Sequence, residues 1–216
     1  MLGDKALPCV GKTLAIVDVE TNGGYMDSGQ VIEIGILRVE NGVVVETYRS
    51  FVKPARHIPW WITQLTGITN EDLENAPFFE EIAVEVHRLL SGAIFVAHNV
   101  GFDHVFIKNE FRRLEMEWKA KKLCTVEISR AMYPKHKSHS LEAIIARHGF
   151  KPAARHRAFE DAKILWDFIV LAHKMRPYAF EQVIEDLLYS RKKVKVPTFE
   201  VEELFAENPT EETVVL

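Results

Sequence analysis

The sequence predicts an α/β domain in which a mixed sheet carries packed helices. Three observations predict it. The N-terminal part holds apolar runs of strand length, two of them joined by a hairpin signal. From Asn70 onward, apolar residues recur at helical spacing. Short apolar stretches of strand length then alternate with those helical segments.

Residues 14–17 (LAIV), just before Asp18, read as a strand buried on both faces. Gly23, Gly24, Ser28 and Gly29 mark a loop. Residues 31–39 (VIEIGILRV) form a second strand, Glu40-Asn41-Gly42 is a hairpin turn, and residues 43–52 are the partner strand. Pro54 and Pro59 break the pattern. Thr69-Asn70-Glu71-Asp72 starts a helix, and residues 77–90 read as another. Residues 93–97 are a short buried strand, 101–114 an amphipathic helix and 122–126 one more strand. Ser140 opens the helix at 141–148 and Gly149 stops it. Residues 157–174 are the clearest helix in the chain, and 178–189 form a last one. A basic run follows at 191–195, and residues 200–216 are acidic without a period. This divides the chain into a body, 1–176, and a C-terminal helix with an acidic tail, 177–216, that is flexible or binds a partner.

A length of 216 residues suits one domain of ordinary size, and 47% hydrophobic with 27% charged residues is a soluble globular composition. Two cysteines without a CxxC spacing exclude a disulfide framework and a zinc ribbon, and they fit a reducing, cytoplasmic location. The first ten residues have no signal-peptide core, and no apolar run approaches the ~18 residues of a membrane span. With 27 Lys and Arg against 31 Asp and Glu the net charge is -4, which at face value argues against a nucleic-acid binder. Six of those acids lie in residues 200–216, which have no Lys or Arg; the rest of the chain holds 27 bases against 25 acids, or +2.

Several carboxylates sit where a core residue is expected. Asp18 and Glu20 end the first strand and leave it on one face. Such a pair suits a strand end in solvent, or a cation held between two repelling groups. Asp103 shares its helical face with Phe106, Ile107, Phe111 and Leu114, which is the expensive face for an acid, although the first turn of a helix favours one. Asp161 repeats the pattern with Leu165, Phe168 and Ala172. Four acids in such places suit a hard divalent cation, Mg²⁺ or Mn²⁺, and two such ions about 3.5–4 Å apart serve phosphodiester hydrolysis. His156, five residues before Asp161, reads either as a general base or as an exposed loop histidine between Arg155 and Arg157. Gly11-Lys12-Thr13 ends like a phosphate-binding loop but lacks the earlier glycine, which is Ala6 here, and precedes a strand instead of following one.

Taken together, Asp18-Val-Glu-Thr21, His98-Asn-Val-Gly-Phe-Asp103 and His156-Arg-Ala-Phe-Glu-Asp161 resemble the motifs of the DEDDh (DnaQ-like) 3′→5′ exonucleases. Leu65-Thr66-Gly67-Ile68-Thr69 resembles a stretch of the proofreading exonucleases of bacterial replicative polymerases, the epsilon type of DNA polymerase III. The likeness spans about residues 14–174. It implies a ribonuclease-H-like fold, a five-stranded mixed sheet flanked by helices. It implies two divalent ions: Asp18 bridging both, Glu20 and Asp161 on the ion beside the attacking water, Asp103 on the other, and His156 as base. Thr21, Leu65, Thr66, His98, Asn99 and Phe102 are the implied contacts to the terminal nucleotide. Asn22 stands where many members have Gly, and Thr66 where many have His.

The resemblance implies stepwise release of nucleoside 5′-monophosphates from the 3′ end of DNA, single-stranded or frayed, in proofreading or repair. RNA trimming by the same chemistry is the alternative, separated by the 2′-hydroxyl. A third reading is an assembly module whose tail meets a polymerase subunit or sliding clamp; Val201-Glu-Glu-Leu-Phe205 is like a clamp-binding peptide only in its last two residues. A body of +2 permits an enzyme that grips one strand end and lets go. Arg112, Arg113, Lys119, Lys121, Lys122, Lys135, Lys137, Arg155 and Arg157 are candidate phosphate contacts.

Overall fold

In the computed structural model, the structure describes residues 7–24, 28–153 and 156–189. Arg155, the basic run at 191–195 and the acidic tail with its clamp-like peptide lie outside the described residues.

Five strands form one sheet in the order β3-β2-β1-β4-β5: β1 (Thr13–Thr21), β2 (Val31–Glu40), β3 (Val43–Phe51), β4 (Ile94–Ala97) and β5 (Lys122–Cys124). β1, β2 and β3 are antiparallel, whereas β4 and β5 run parallel to β1. The sheet is mixed, and its arrangement with flanking helices is that of the ribonuclease-H-like fold. The β2–β3 hairpin turns on Asn41 (φ 51°) and Gly42 (φ 77°), the two left-handed residues that a tight two-residue turn requires.

Alternation along β1 sorts the two cores. Leu14 and Ile16 face a cluster built on α7 (Ala158–Met175), with α5 (Thr125–Met132), α6 (Leu141–His148) and α8 (Pro177–Tyr189). Ala15, Val17 and Val19 face α3 (Phe79–Leu90) and α4 (Gly101–Arg113). A third cluster, of Ile32, Ile58, Ile62, Ile68 and Leu73, lies under α1 (Trp60–Thr66) and α2 (Asn70–Glu74). Phe180, Val183 and Ile184 of α8 belong to the same core as α7.

Two elements differ from the sequence reading. The stretch after Pro59 holds the seven-residue helix α1, too short to show a period. The strand expected at 122–126 stops at Cys124, and α5 starts at the next residue without an intervening loop.

Candidate active site

The site is built where β1 outruns its neighbour. β4 pairs with β1 at Leu14–Ile16, so beyond Ile16 this edge of β1 has no strand partner among the described residues. The Val19 N–H there donates to Asp103 Oδ1 at 3.2 Å. Asp103 stands in the first turn of α4 and is only 3% exposed. Burial pushes its carboxyl up to about 7, against the pull of the hydrogen bonds that it accepts.

On the opposite edge β1 pairs with β2, and directly opposed residues share a face. Asp18 lies opposite Gly35, and Glu20 opposite Glu33. Both β2 positions serve to seat α7. A methyl group on Gly35 would fall 2.4 Å from the Phe159 backbone, so the helix rests on the sheet main chain to main chain. Glu33, 4% exposed, takes the Arg157 guanidinium in a fork (Nε at 3.1 Å and Nη2 at 3.0 Å from Oε1) and accepts the Ala158 N–H at 3.2 Å. Arg157, the N-cap of α7, makes no side-chain cap bond of its own; the carboxylate from β2 caps the helix. The result is Asp161, buried in the first turn of α7, beside Glu20 and His156.

One carboxylate oxygen each of Glu20 and Asp161 and one ring nitrogen of His156 lie within 4.8 Å of one another. This oxygen-rich set, with Asp18 on the same strand face, fits a hard divalent cation. Asp18, Glu20, Asp103, His156 and Asp161 all line one open cavity of about 470 Å³, together with His98, Asn99 and Phe102. His98 follows β4 and meets the Thr125 hydroxyl through Nδ1 at 2.9 Å. Asn99 (φ 61°) and His156 (φ 55°) are both non-glycine residues in the left-handed region, and both stand next to a motif helix. Phe102 leans on Phe106 with ring centroids 4.7 Å apart.

Three expected substrate contacts stand outside this lining. The Thr21 hydroxyl, buried, donates to the Gly23 carbonyl at 2.9 Å. The Thr66 hydroxyl, also buried, donates to Ile62 O at 2.9 Å. Leu65 is exposed on α1. The remaining wall comes from residues not selected as site residues from the sequence: Val19 of β1, Val126 and Arg130 of α5, then His139, Ser140, Leu141 and Glu142 around the start of α6. Reading 122–126 as a strand hid Arg130; the Ile128–Met132 spacing was the available signal. Glu33 and Gly35 were also missed, although an acid and a glycine inside an apolar strand were visible.

The described helices include none long and apolar enough to cross a membrane. Residues 15–168 match the RNase_T family, described as Exonuclease. The chain is 35% identical over 190 residues to the 3′-5′ exonuclease DinG of Staphylococcus aureus strain USA300, covering 88% of this chain and 21% of the relative. It thus spans about a fifth of the length of the curated relatives it matches. Among solved structures, Escherichia coli exonuclease I in complex with a dT13 oligonucleotide superposes with a TM-score of 0.72 at 19% identity, over 81% of this chain and 44% of the other. Exonuclease X in complex with 5′ overhanging duplex DNA superposes with a TM-score of 0.64 at 22% identity, over 81% and 99%.

Proposed function

The chain belongs to the RNase_T exonuclease family of DnaQ-like 3′→5′ exonucleases, and we propose that it removes nucleotides one at a time from the 3′ end of DNA. The observation that carries this reading is convergence: β1, α4 and α7 bring four carboxylates and a histidine to one cavity. Strand order and the seat of α7 account for that convergence without reference to activity.

In this reading Asp18, Glu20, Asp103 and Asp161 hold two divalent cations, Mg²⁺ or Mn²⁺. When bound, the cations supply the positive charge that favours hydroxide as nucleophile and stabilises the leaving oxygen. His156, beside Glu20 and Asp161, accepts the proton of the attacking water. Attack at phosphorus breaks the bond to the 3′ oxygen, leaving a 3′-hydroxyl on the shortened strand and a free nucleoside 5′-monophosphate. Phe102, with His98 and Asn99 at the end of β4, contacts the terminal nucleotide; of the three expected contacts outside that lining, exposed Leu65 is the one open to it, whereas the Thr21 and Thr66 hydroxyls are spent on backbone carbonyls. The resemblance of residues 65–69 to the epsilon type supports a role in proofreading or repair, beside a polymerase or clamp. Two free, buried cysteines, Cys9 and Cys124, suit a cytoplasmic setting.

The test is a 5′-labelled single-stranded DNA, a mismatched duplex and a matched RNA, each incubated with Mg²⁺ or Mn²⁺. The expected outcome is a ladder shortened by single nucleotides, fastest on single-stranded DNA. His156→Ala lowers kcat by roughly 10²–10⁴-fold, and Asp18→Ala removes activity. Absence of mononucleotide products, or full activity in both variants, overturns the reading. Faster decay of RNA replaces DNA by RNA as the substrate.

A further inference from the structure

We propose that Trp60 and Trp61 form a platform on which bases near the 3′ end of the substrate strand stack, a second binding surface that continues the cleft past the carboxylates. It rests on the exonuclease reading and extends it to how the strand is gripped.

Helix α1 buries Ile62 and Thr66 and turns its other residues outward: Trp60 is 70% exposed, Trp61 45% and Leu65 54%. Tryptophan is highly buried on average, so two neighbouring exposed indoles are not needed by this core. Trp61 and Leu65, four apart, lie in one row of the helix. The tip of the Trp61 ring, Cη2, lies 3.7 Å from the point where a side chain on Gly23 would begin. Gly23 follows the metal-site residue Glu20 by three positions, which places it within about 10 Å of that residue along the chain. The Trp61–Leu65 row therefore lies beside the segment that leaves the end of β1 carrying the acids.

The platform is also rigid. The Thr66 hydroxyl closes on Ile62 O, and Gly67, at φ 72°, stops the helix with its N–H on Thr63 O at 2.8 Å. Thr69 and Asp72 then cap α2 reciprocally. Rings fixed in advance lose little freedom on binding. A nucleobase matches this surface: every base has a flat face, and stacking reads no sequence, as stepwise degradation requires. A protein seated on the same rim would obstruct the cleft that the strand must enter.

The experiment uses the full chain with Trp60→Leu/Trp61→Leu, which keeps apolar bulk and loses the rings, and Trp60→Phe/Trp61→Phe, which keeps flat faces. With dT20 and Mg²⁺, the Leu variant is expected to raise KM roughly 5- to 100-fold with kcat within about twofold. The Phe variant recovers most of the loss. On an oligonucleotide whose last residues are abasic, wild type and Leu variant converge. Intrinsic fluorescence gives a readout separate from cleavage: dT20 in EDTA quenches the wild type but not the Leu variant, which retains Trp118 and Trp166. Absence of quenching, unchanged KM in the Leu variant, or an equal penalty on the abasic strand each overturns the platform. A dimer that the Leu variant dissolves, with KM unchanged, assigns the ridge to a second copy of the chain and overturns it too. Absence of cleavage with quenching intact overturns the exonuclease reading alone.

Discussion

Two helices each deliver one buried acid to the end of β1, and they are held there by opposite means. On α4 the acid itself makes the positioning contact: Asp103 accepts the Val19 N–H, and its burial raises its own pKa. On α7 positioning contacts come also from other residues. Gly35 admits the helix backbone, Glu33 grips Arg157 and Ala158, and Asp161 follows from where the helix rests. The difference teaches that a substitution at Asp103 changes charge and geometry together. On α7 the two can be separated, because the seat and the ligand are different residues. The residues of β2 opposite Asp18 and Glu20 are the seat, so the strand pair divides its work between chemistry and support.

The largest expected effect breaks the seat. Gly35→Ala places a methyl group 2.4–2.5 Å from three backbone atoms of Ala158 and Phe159, and no flexible side chain can yield. The helix must lift from the sheet. Overpacking of this kind costs about 3 kcal/mol, or a fall of roughly 6–12 °C in Tm for a chain of this size. Asp161 and His156 move with the helix, so nuclease activity falls at least as far as in His156→Ala. Thermal unfolding and a rate measurement below the new Tm check both parts. A variant of normal Tm and normal rate would show that α7 has another way to sit.

Much of the site was legible because its acids interrupt apolar patterns locally. Asp103 and Asp161 stand out against the helix faces of Phe106 and Leu165, and Asp18 and Glu20 against a run of four apolar residues. The seat was not legible for a reason of distance: Glu33 and its partner Arg157 are 124 positions apart, and Gly35 meets Phe159 only across the packed sheet. A glycine or an acid in a strand signals that something approaches, not what does. The strands and long helices follow from period and turn residues. α1 has fewer than two turns and α5 has no loop before it, so neither offered a period or punctuation to read.

The α4 arrangement is sharpened by pH. The Asp103 carboxyl goes from an ordinary 3.8 to about 7 in the fold. Between those values the folded protein keeps a proton that the unfolded chain has lost. Metal-free stability from this group is therefore full below about pH 4 and is lost as pH rises through 7. Asp103→Asn keeps an oxygen for the Val19 N–H but cannot ionise. In EDTA, urea titrations at pH 5, 6, 7 and 8 should show the wild type losing on the order of 2–3 kcal/mol relative to the variant. With excess Mg²⁺ the gap narrows, since a ligand bound only by the folded state adds stability to the wild type. Parallel curves in EDTA would mean that the carboxyl is not strained by burial.

The smallest effect tests the grip at the start of α7. Glu33→Gln retains an acceptor for the Ala158 N–H and loses the charge that holds Arg157. Removing one partner of a fully buried ion pair costs about 3–5 kcal/mol. Here the Arg157 side chain is 42% exposed and rehydrates, so about 1–2 kcal/mol is expected. His156 immediately precedes Arg157 and holds a left-handed backbone, so loosening the arginine reaches the proposed base before it reaches the core. The expected signature is kcat lowered about tenfold with KM for dT20 unchanged and Tm lowered by only a few degrees. Arg157→Lys, which supplies charge without the fork, should behave like Glu33→Gln. If lysine restores kcat in full, charge alone holds the loop and the forked geometry is incidental; if KM rises while kcat stays, Arg157 meets the strand itself and the division between seat and substrate surface on α7 fails.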